Sequence, residues 1–201
     1  MVNIKVNGIT ELKQLKQLDG LSIDFAGFDF NEKSPWYIGG KIAGKELKAA
    51  DFDIRKVGVF IDASYEEIMK AIDEYGIDVV QLQGNETPGM CEKLSGETEV
   101  IKSFTIRDPK ASIDDQIAEY DEVCDYYLFN VAKQADWKQL TKSSIEKPFF
   151  LSGNIGPDDV KKLKAFTHPD FFGVDINEQF EKSVGVKDMV SILQFKQGFK
   201  K

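Results

Sequence analysis

Eight times along this chain, a short run of β-branched or aromatic residues is followed by a stretch whose apolar residues recur at helical spacing. The strand-like runs are 4–6, 22–30, 56–61, 78–82, 99–104, 126–129, 148–151 and 171–176. The helix-like stretches after them are 10–18, 40–50, 64–75, 87–94, 112–120, 136–140, 157–166 and 187–195. Such alternation predicts a parallel sheet, because each return to the same strand direction needs a crossover, and a helix supplies it. Eight units close naturally into a single compact (β/α)8 TIM barrel, an α/β fold spanning 1–201 as one domain. An open, doubly wound sheet is the alternative arrangement of the same units. No linker rich in Pro, Gly or Ser divides the pattern. Thr10 and Thr87 read as helix N-caps, and Ser64-Tyr65-Glu66-Glu67 as a capping box. Gly156-Pro157-Asp158-Asp159 places Pro and acids in a first turn, where the orphan N–H groups favour them.

Composition narrows the chemistry. The net charge of −8 makes non-specific nucleic-acid binding unfavourable, since an acidic surface repels a phosphate backbone. No apolar run approaches the roughly 18 residues of a membrane span, and no signal peptide is read, so a cytoplasmic protein is expected. One His and two separated Cys exclude a zinc cluster or a disulfide framework; Cys91 and Cys124 read as buried thiols in a reducing compartment. With Arg55 and Arg107 the only arginines, bidentate anion recognition has few sources. Carboxylates, carboxamides, Lys and backbone remain to do the work.

A set of motifs then falls in order along nearly the whole chain. These are Ile4-Lys5-Val6-Asn7-Gly8-Ile9-Thr10, Gly27-Phe28-Asp29-Phe30 with Lys33-Ser34-Pro35, and Lys56-Val57-Gly58-Val59-Phe60. Further on come Val79-Val80-Gln81-Leu82-Gln83-Gly84-Asn85-Glu86, Asp136-Trp137, Phe150-Leu151-Ser152-Gly153, Gly173-Val174-Asp175 and Gly185-Val186-Lys187-Asp188. In these the sequence resembles the phosphoribosylanthranilate isomerases of tryptophan biosynthesis. The resemblance implies an Amadori rearrangement without metal or organic cofactor. A general acid opens the sugar ring and a general base removes the C2 proton, so two groups of opposite protonation state must share the barrel mouth.

The resemblance also places the family's working residues, and here the chain departs from the pattern. The general-base position, a Cys at the end of strand 1, is Asn7, and the general-acid position, an Asp at the end of strand 6, is Asn130. A carboxamide has no titratable proton near neutral pH, so neither residue can serve in that role. The Arg that holds the substrate carboxylate becomes Trp36, and the strand-4 His becomes Gln83. The Gly-rich loop before Asp136-Trp137 is shortened to 131–135. The phosphate site implied in loops 7 and 8 reads Gly153-Asn154 and Asn177-Glu178-Gln179, which sets a carboxylate where a phosphate would sit.

Strand alternation adds residues at the mouth. Lys5 and Asp175 face inward on neighbouring strands and are expected to pair, with Lys5 also a candidate for holding a carboxylate or carbonyl. Gln81 and Gln83 point inward on strand 4. Asp29 puts a carboxylate where the family usually has an apolar residue, and it is the candidate substitute base. Arg107 follows strand 5 and is the Arg expected on that face. Trp36, Phe104 and Phe129 are candidates for an apolar patch, the last two with core packing as the default. His168 is expected on the opposite rim. Three functions follow: a diverged relative with lost or strongly reduced isomerase activity, which the residues favour; an active isomerase with rearranged acid and base; or another reaction on the same scaffold. A small anionic ligand and a protein partner of the pathway are the partner classes left open, with no nucleic acid and no membrane.

Overall fold

The computed structural model describes residues 2–108, 112–131 and 137–200. Eight parallel strands close into a barrel in sequence order. They are β1 (Asn3–Val6), β2 (Phe25–Asp29), β3 (Arg55–Phe60), β4 (Val79–Leu82), β5 (Glu99–Ile106), β6 (Tyr126–Val131), β7 (Phe149–Ser152) and β8 (Phe171–Ile176). Helices α1 (Leu12–Gly20), α2 (Gly44–Lys48), α3 (Tyr65–Tyr75), α4 (Pro88–Ser95), α5 (Ile113–Ile117), α6 (Trp137–Leu140), α7 (Val160–Ala165) and α8 (Met189–Lys200) follow them in turn. The barrel expectation holds, and the open sheet is excluded by the β1–β8 ladder, which pairs Lys5 with Asp175.

Two apolar layers hold the barrel. Inside it, Phe25, Val57, Val79, Ile101, Leu128 and Phe150 interlock, one from each of six strands, so the interior is filled. Outside it, the alternate residues such as Ile4, Val6, Val80 and Phe129 pack beneath the helices. Phe104 and Phe129 belong to this outer layer, stacked with centroids 5.9 Å apart, and take no part in a surface patch. Cys91 and Cys124 are buried free thiols. Burial pushes them up to about 11 and about 12, so both stay protonated and inert at neutral pH.

Local signals hold where a side chain has no better partner. Ser64 accepts from the Glu67 N–H while Glu67 accepts from the Ser64 N–H, completing the capping box of α3. Thr87 caps α4 by accepting from the Met90 N–H, with Pro88 in the first turn. Gly156 N–H donates to Asp159 at 2.9 Å, so the short 3-10 turn entering α7 is tied back. Thr87→Ala is expected to cost about 1 kcal/mol in urea denaturation, with Thr87→Ser close to neutral.

Thr10 corrects the sequence reading. Its hydroxyl donates 2.8 Å to the Gly185 carbonyl, and Glu11 occupies the α1 N-cap without a side-chain bond. The long-range contact wins because Thr10 is buried against the β8–α8 connection. That connection departs from the predicted helix 187–195 as well. It contains a turn at Glu178–Phe180 and an antiparallel pair, β9 (Glu181–Ser183) with β10 (Val186–Lys187), before α8 begins at Met189. The stretch 40–50 shortens to α2, because an isolated bridge from Asp29 to Tyr37 and the following turns use the preceding chain. The shortened loop read at 131–135 falls outside the described residues apart from Val131, the last residue of β6, as does Asp136. No helix among the described residues is long and apolar enough to cross a membrane.

Candidate functional site

The C-terminal ends of the strands surround a cavity of about 270 Å³. Asn7 arrives just past β1, its N–H bonded to the Ile176 carbonyl at 2.9 Å, and Gly27 on β2 leaves room for its side chain. A Cβ at Gly27 would lie 2.0 Å from Asn7 Oδ1. Asn130 faces the cavity from β6, beside Gly153 of loop 7, whose φ of +99° precedes Asn154 at +48°. Glycine adopts this left-handed backbone freely, and Asn tolerates it better than most residues. A Cβ at Gly153 would meet the Val131 carbonyl at 2.2 Å and Asn130 Oδ1 at 2.7 Å, so loop 7 can pass β6 here only as glycine.

Asp29, Trp36, Gln83, Asp175, Asn177 and Glu178 complete the set of sequence candidates that line this cavity. Two candidates do not. Lys5 lies beneath it, fully buried, and donates to Asp175 Oδ1 at 2.7 Å, the pairing expected from strand alternation. Arg107 is exposed and outside the lining, because β5 runs on to Ile106 and carries it past the rim. Asp29 also shapes the backbone, since its Oδ1 accepts the Asn31 N–H at 2.9 Å and turns the chain out of β2. His168 sits away from the cavity, before β8, and accepts the Asp170 N–H at Nδ1.

The structure adds Ser152, Phe180, Glu181 and Lys187 around the site, and gives Gln179, read from the sequence as part of the phosphate loops, a partner. Ser152 donates to Asp175 Oδ2 at 3.0 Å, so both oxygens of that carboxylate are bound. Gln179 Nε2 donates to Asn154 Oδ1 at 2.8 Å and bridges loops 7 and 8. Phe180 is buried against Phe195 of α8 and fixes this turn, which holds Glu178 and Gln179 at the mouth. Beside it, buried Lys187 donates to Asn177 Oδ1 and pairs with Glu181 at 2.6 Å. Desolvation pulls the Lys187 ammonium below the usual lysine range, while Glu181 opposes that shift. The Trp36 indole N–H also donates to Glu181 at 2.8 Å, strapping the β2–α2 loop to the β8–α8 connection. The Gly185-Val186-Lys187-Asp188 motif is a usable signal for this cluster, since the glycine turn folds Lys187 back beside Glu181.

Among the described residues, three carboxylates and no basic side chain line the cavity. Its lining has carboxamides at Asn7, Gln83, Asn130, Asn154, Asn177 and Gln179, and an indole at Trp36. This arrangement donates and accepts hydrogen bonds but offers an acid–base pair only through carboxylates. A second cavity, of about 380 Å³, lies at the opposite end of the barrel. Several of its polar groups hold strand ends: Asp24 accepts the Ile4 N–H, Asp19 the Ile54 N–H, and Arg55 pairs with Glu99. No group of His, Cys, Asp or Glu able to hold a metal ion occurs among the described residues.

The family profile described as N-(5′phosphoribosyl)anthranilate (PRA) isomerase matches residues 4–198. An N-(5′-phosphoribosyl)anthranilate isomerase of Parabacteroides distasonis is 35% identical, over 96% of this chain and 90% of that protein. One from Phocaeicola vulgatus is 32% identical, over 96% and 95%. The crystal structure of phosphoribosyl anthranilate isomerase from Thermotoga maritima superposes with a TM-score of 0.85 at 26% identity, covering 100% of this chain and 99% of that one. A phosphoribosyl anthranilate isomerase solved in complex with reduced 1-(o-carboxyphenylamino)-1-deoxyribulose 5-phosphate superposes at 0.80 with 25% identity, covering 100% and 99%.

Proposed function

We infer, since this chain belongs to the N-(5′-phosphoribosyl)anthranilate isomerase family of tryptophan biosynthesis, that it keeps the family barrel and its cavity but has lost most or all of the aldose–ketose isomerisation. One observation carries the reading: Asn7 and Asn130, at the positions where the resemblance puts base and acid, both line the cavity with carboxamides. General acid–base catalysis contributes about 10²–10⁴-fold for each positioned group, so replacing both removes most of what such a reaction can gain. Trp36 supports the same reading. An indole held by Glu181 stands where a guanidinium would pair with the substrate carboxylate. The protein then serves as a ligand-binding or partner-binding relative in the pathway.

The second reading keeps activity through Asp29, which lines the same cavity and is ionisable. Its Oδ1 is engaged by the Asn31 N–H, and a reaction through it still needs an acid. Complementation of an isomerase-deficient tryptophan auxotroph separates the two. No growth is expected with the unmodified chain, and growth that disappears in Asp29→Asn would establish the second reading instead.

A further inference from the structure

We propose that the cavity binds a small, unphosphorylated polyhydroxylated ligand, a free sugar or its polyol, against Trp36; this rests on the reading that the site no longer isomerises a phosphorylated substrate. The charge of the lining disfavours an anion. Asp29, Asp175 and Glu178 line the cavity, and no Lys, Arg or His does so among the described residues. The nearby buried ammonium groups are committed, Lys5 to Asp175 and Lys187 to Asn177 and Glu181. Backbone N–H groups at loop ends attract anions, but a phosphate dianion brought to this lining meets the Glu178 carboxylate with no countercharge facing it.

Hydrogen-bond polarity points the same way. Asn7 Oδ1 and Gln81 Oε1 are buried acceptors without a partner. Gln81 is 1% exposed, lies beneath the mouth on β4, and spends its amide on Gln83 Oε1 at 3.0 Å. Asn7 belongs to the cavity lining and Gln81 does not, so it is the Asn7 acceptor, together with the Glu178 carboxylate, that favours a donor-bearing ligand; a buried acceptor left alone costs about 1–3 kcal/mol. Hydroxyl groups donate, whereas ionised phosphate and carboxylate groups only accept.

The shape of the mouth agrees. The Gln179–Asn154 bond joins the side chains of loops 7 and 8, the pair that has to receive a phosphate. The cavity, about 270 Å³, has room for a monosaccharide-sized ligand. Trp36 packs on Gly8, where a Cβ would lie 2.8 Å from the indole, and its N–H is held by Glu181. A fixed aromatic surface among carboxamides and carboxylates suits a ring with one C–H face and an edge of hydroxyls.

Calorimetric titration of the full chain with pentoses, hexoses and their polyols, each beside its phosphate ester, tests this. At least one unphosphorylated compound is expected to bind, with its ester weaker by roughly tenfold or more, equivalent to about 1.4 kcal/mol. Glu178→Gln is expected to narrow that gap by strengthening the ester. Trp36→Ala is expected to weaken sugar binding by roughly tenfold, with Trp36→Phe retaining most of it. An ester that binds as tightly as its parent, or no binding by any unphosphorylated compound, overturns the proposal. Turnover of the family substrate is read in a separate assay, so failure of the non-isomerase reading is not confused with failure of this one.

Discussion

Installing a thiol and a carboxylic acid at the mouth, by Asn7→Cys with Asn130→Asp, is expected to leave the barrel folded and still unable to rescue an isomerase-deficient auxotroph. Both side chains already line the cavity and both changes nearly conserve volume, so the scaffold has little reason to respond. The catalytic deficit persists because the rest of the lining persists. The carboxyl introduced by Asn130→Asp would be the fourth in a cavity whose described residues include no basic lining side chain. The family's substrate carries a carboxylate and a phosphate, and neither finds a cation among the described lining residues. Adding Trp36→Arg and Glu178→Ser to the pair restores a bidentate partner for the carboxylate and removes the like charge from loop 8. The first measurable turnover is expected from that fourfold variant. Growth supported by the double variant alone would show that the acid and base were the only deficits, and that the binding positions are adequate as they stand.

The largest effect on stability is expected from splitting the Lys5–Asp175 pair. Lys5 is fully buried and Asp175 nearly so, and the two are register partners across the ladder that closes the barrel. Lys5→Met leaves Asp175 with Ser152 but without its counter-ion. Removing one partner of a buried pair typically costs about 3–5 kcal/mol. Most of this should return when Asp175→Leu is added, because two apolar side chains carry no desolvation penalty. Urea denaturation of the two single variants and the double variant forms the cycle that measures the coupling. A Lys5→Met loss below about 1 kcal/mol would show that Asp175 has another source of compensation.

Much of the fold is legible in the sequence because it depends on local alternation. Eight strand–helix repeats are read from period and length, and inward-facing residues follow from the period-two rule, which is enough to anticipate the Lys5–Asp175 pair. The details that escape the sequence depend on contacts far apart in the chain. Thr10 has the composition and place of a cap, yet it is captured by the Gly185 carbonyl, which only barrel closure brings beside it. The pair β9–β10 consists of strands of three and two residues, too short to display any period. Trp36 and Glu181 lie on opposite sides of that closure, so the strap between them has no sequence signal. The position of Arg107 after strand 5 points to the catalytic face, but two further strand residues carry it beyond the cavity. Which residues line the cavity is thus legible wherever the end of a strand is placed correctly, and misplaced where, as at Arg107, the strand runs further than its apolar pattern.

A barrel that keeps its cavity without the family's isomerisation yields little or no product from the family's substrate. The most direct measurement is product formation by the purified chain from N-(5′-phosphoribosyl)anthranilate, followed by fluorescence beside a relative that retains Cys and Asp at the two positions. The expected rate lies orders of magnitude below that of the relative, at or near the uncatalysed background. Turnover approaching that of the relative, abolished by changing a residue of this cavity, would contradict it.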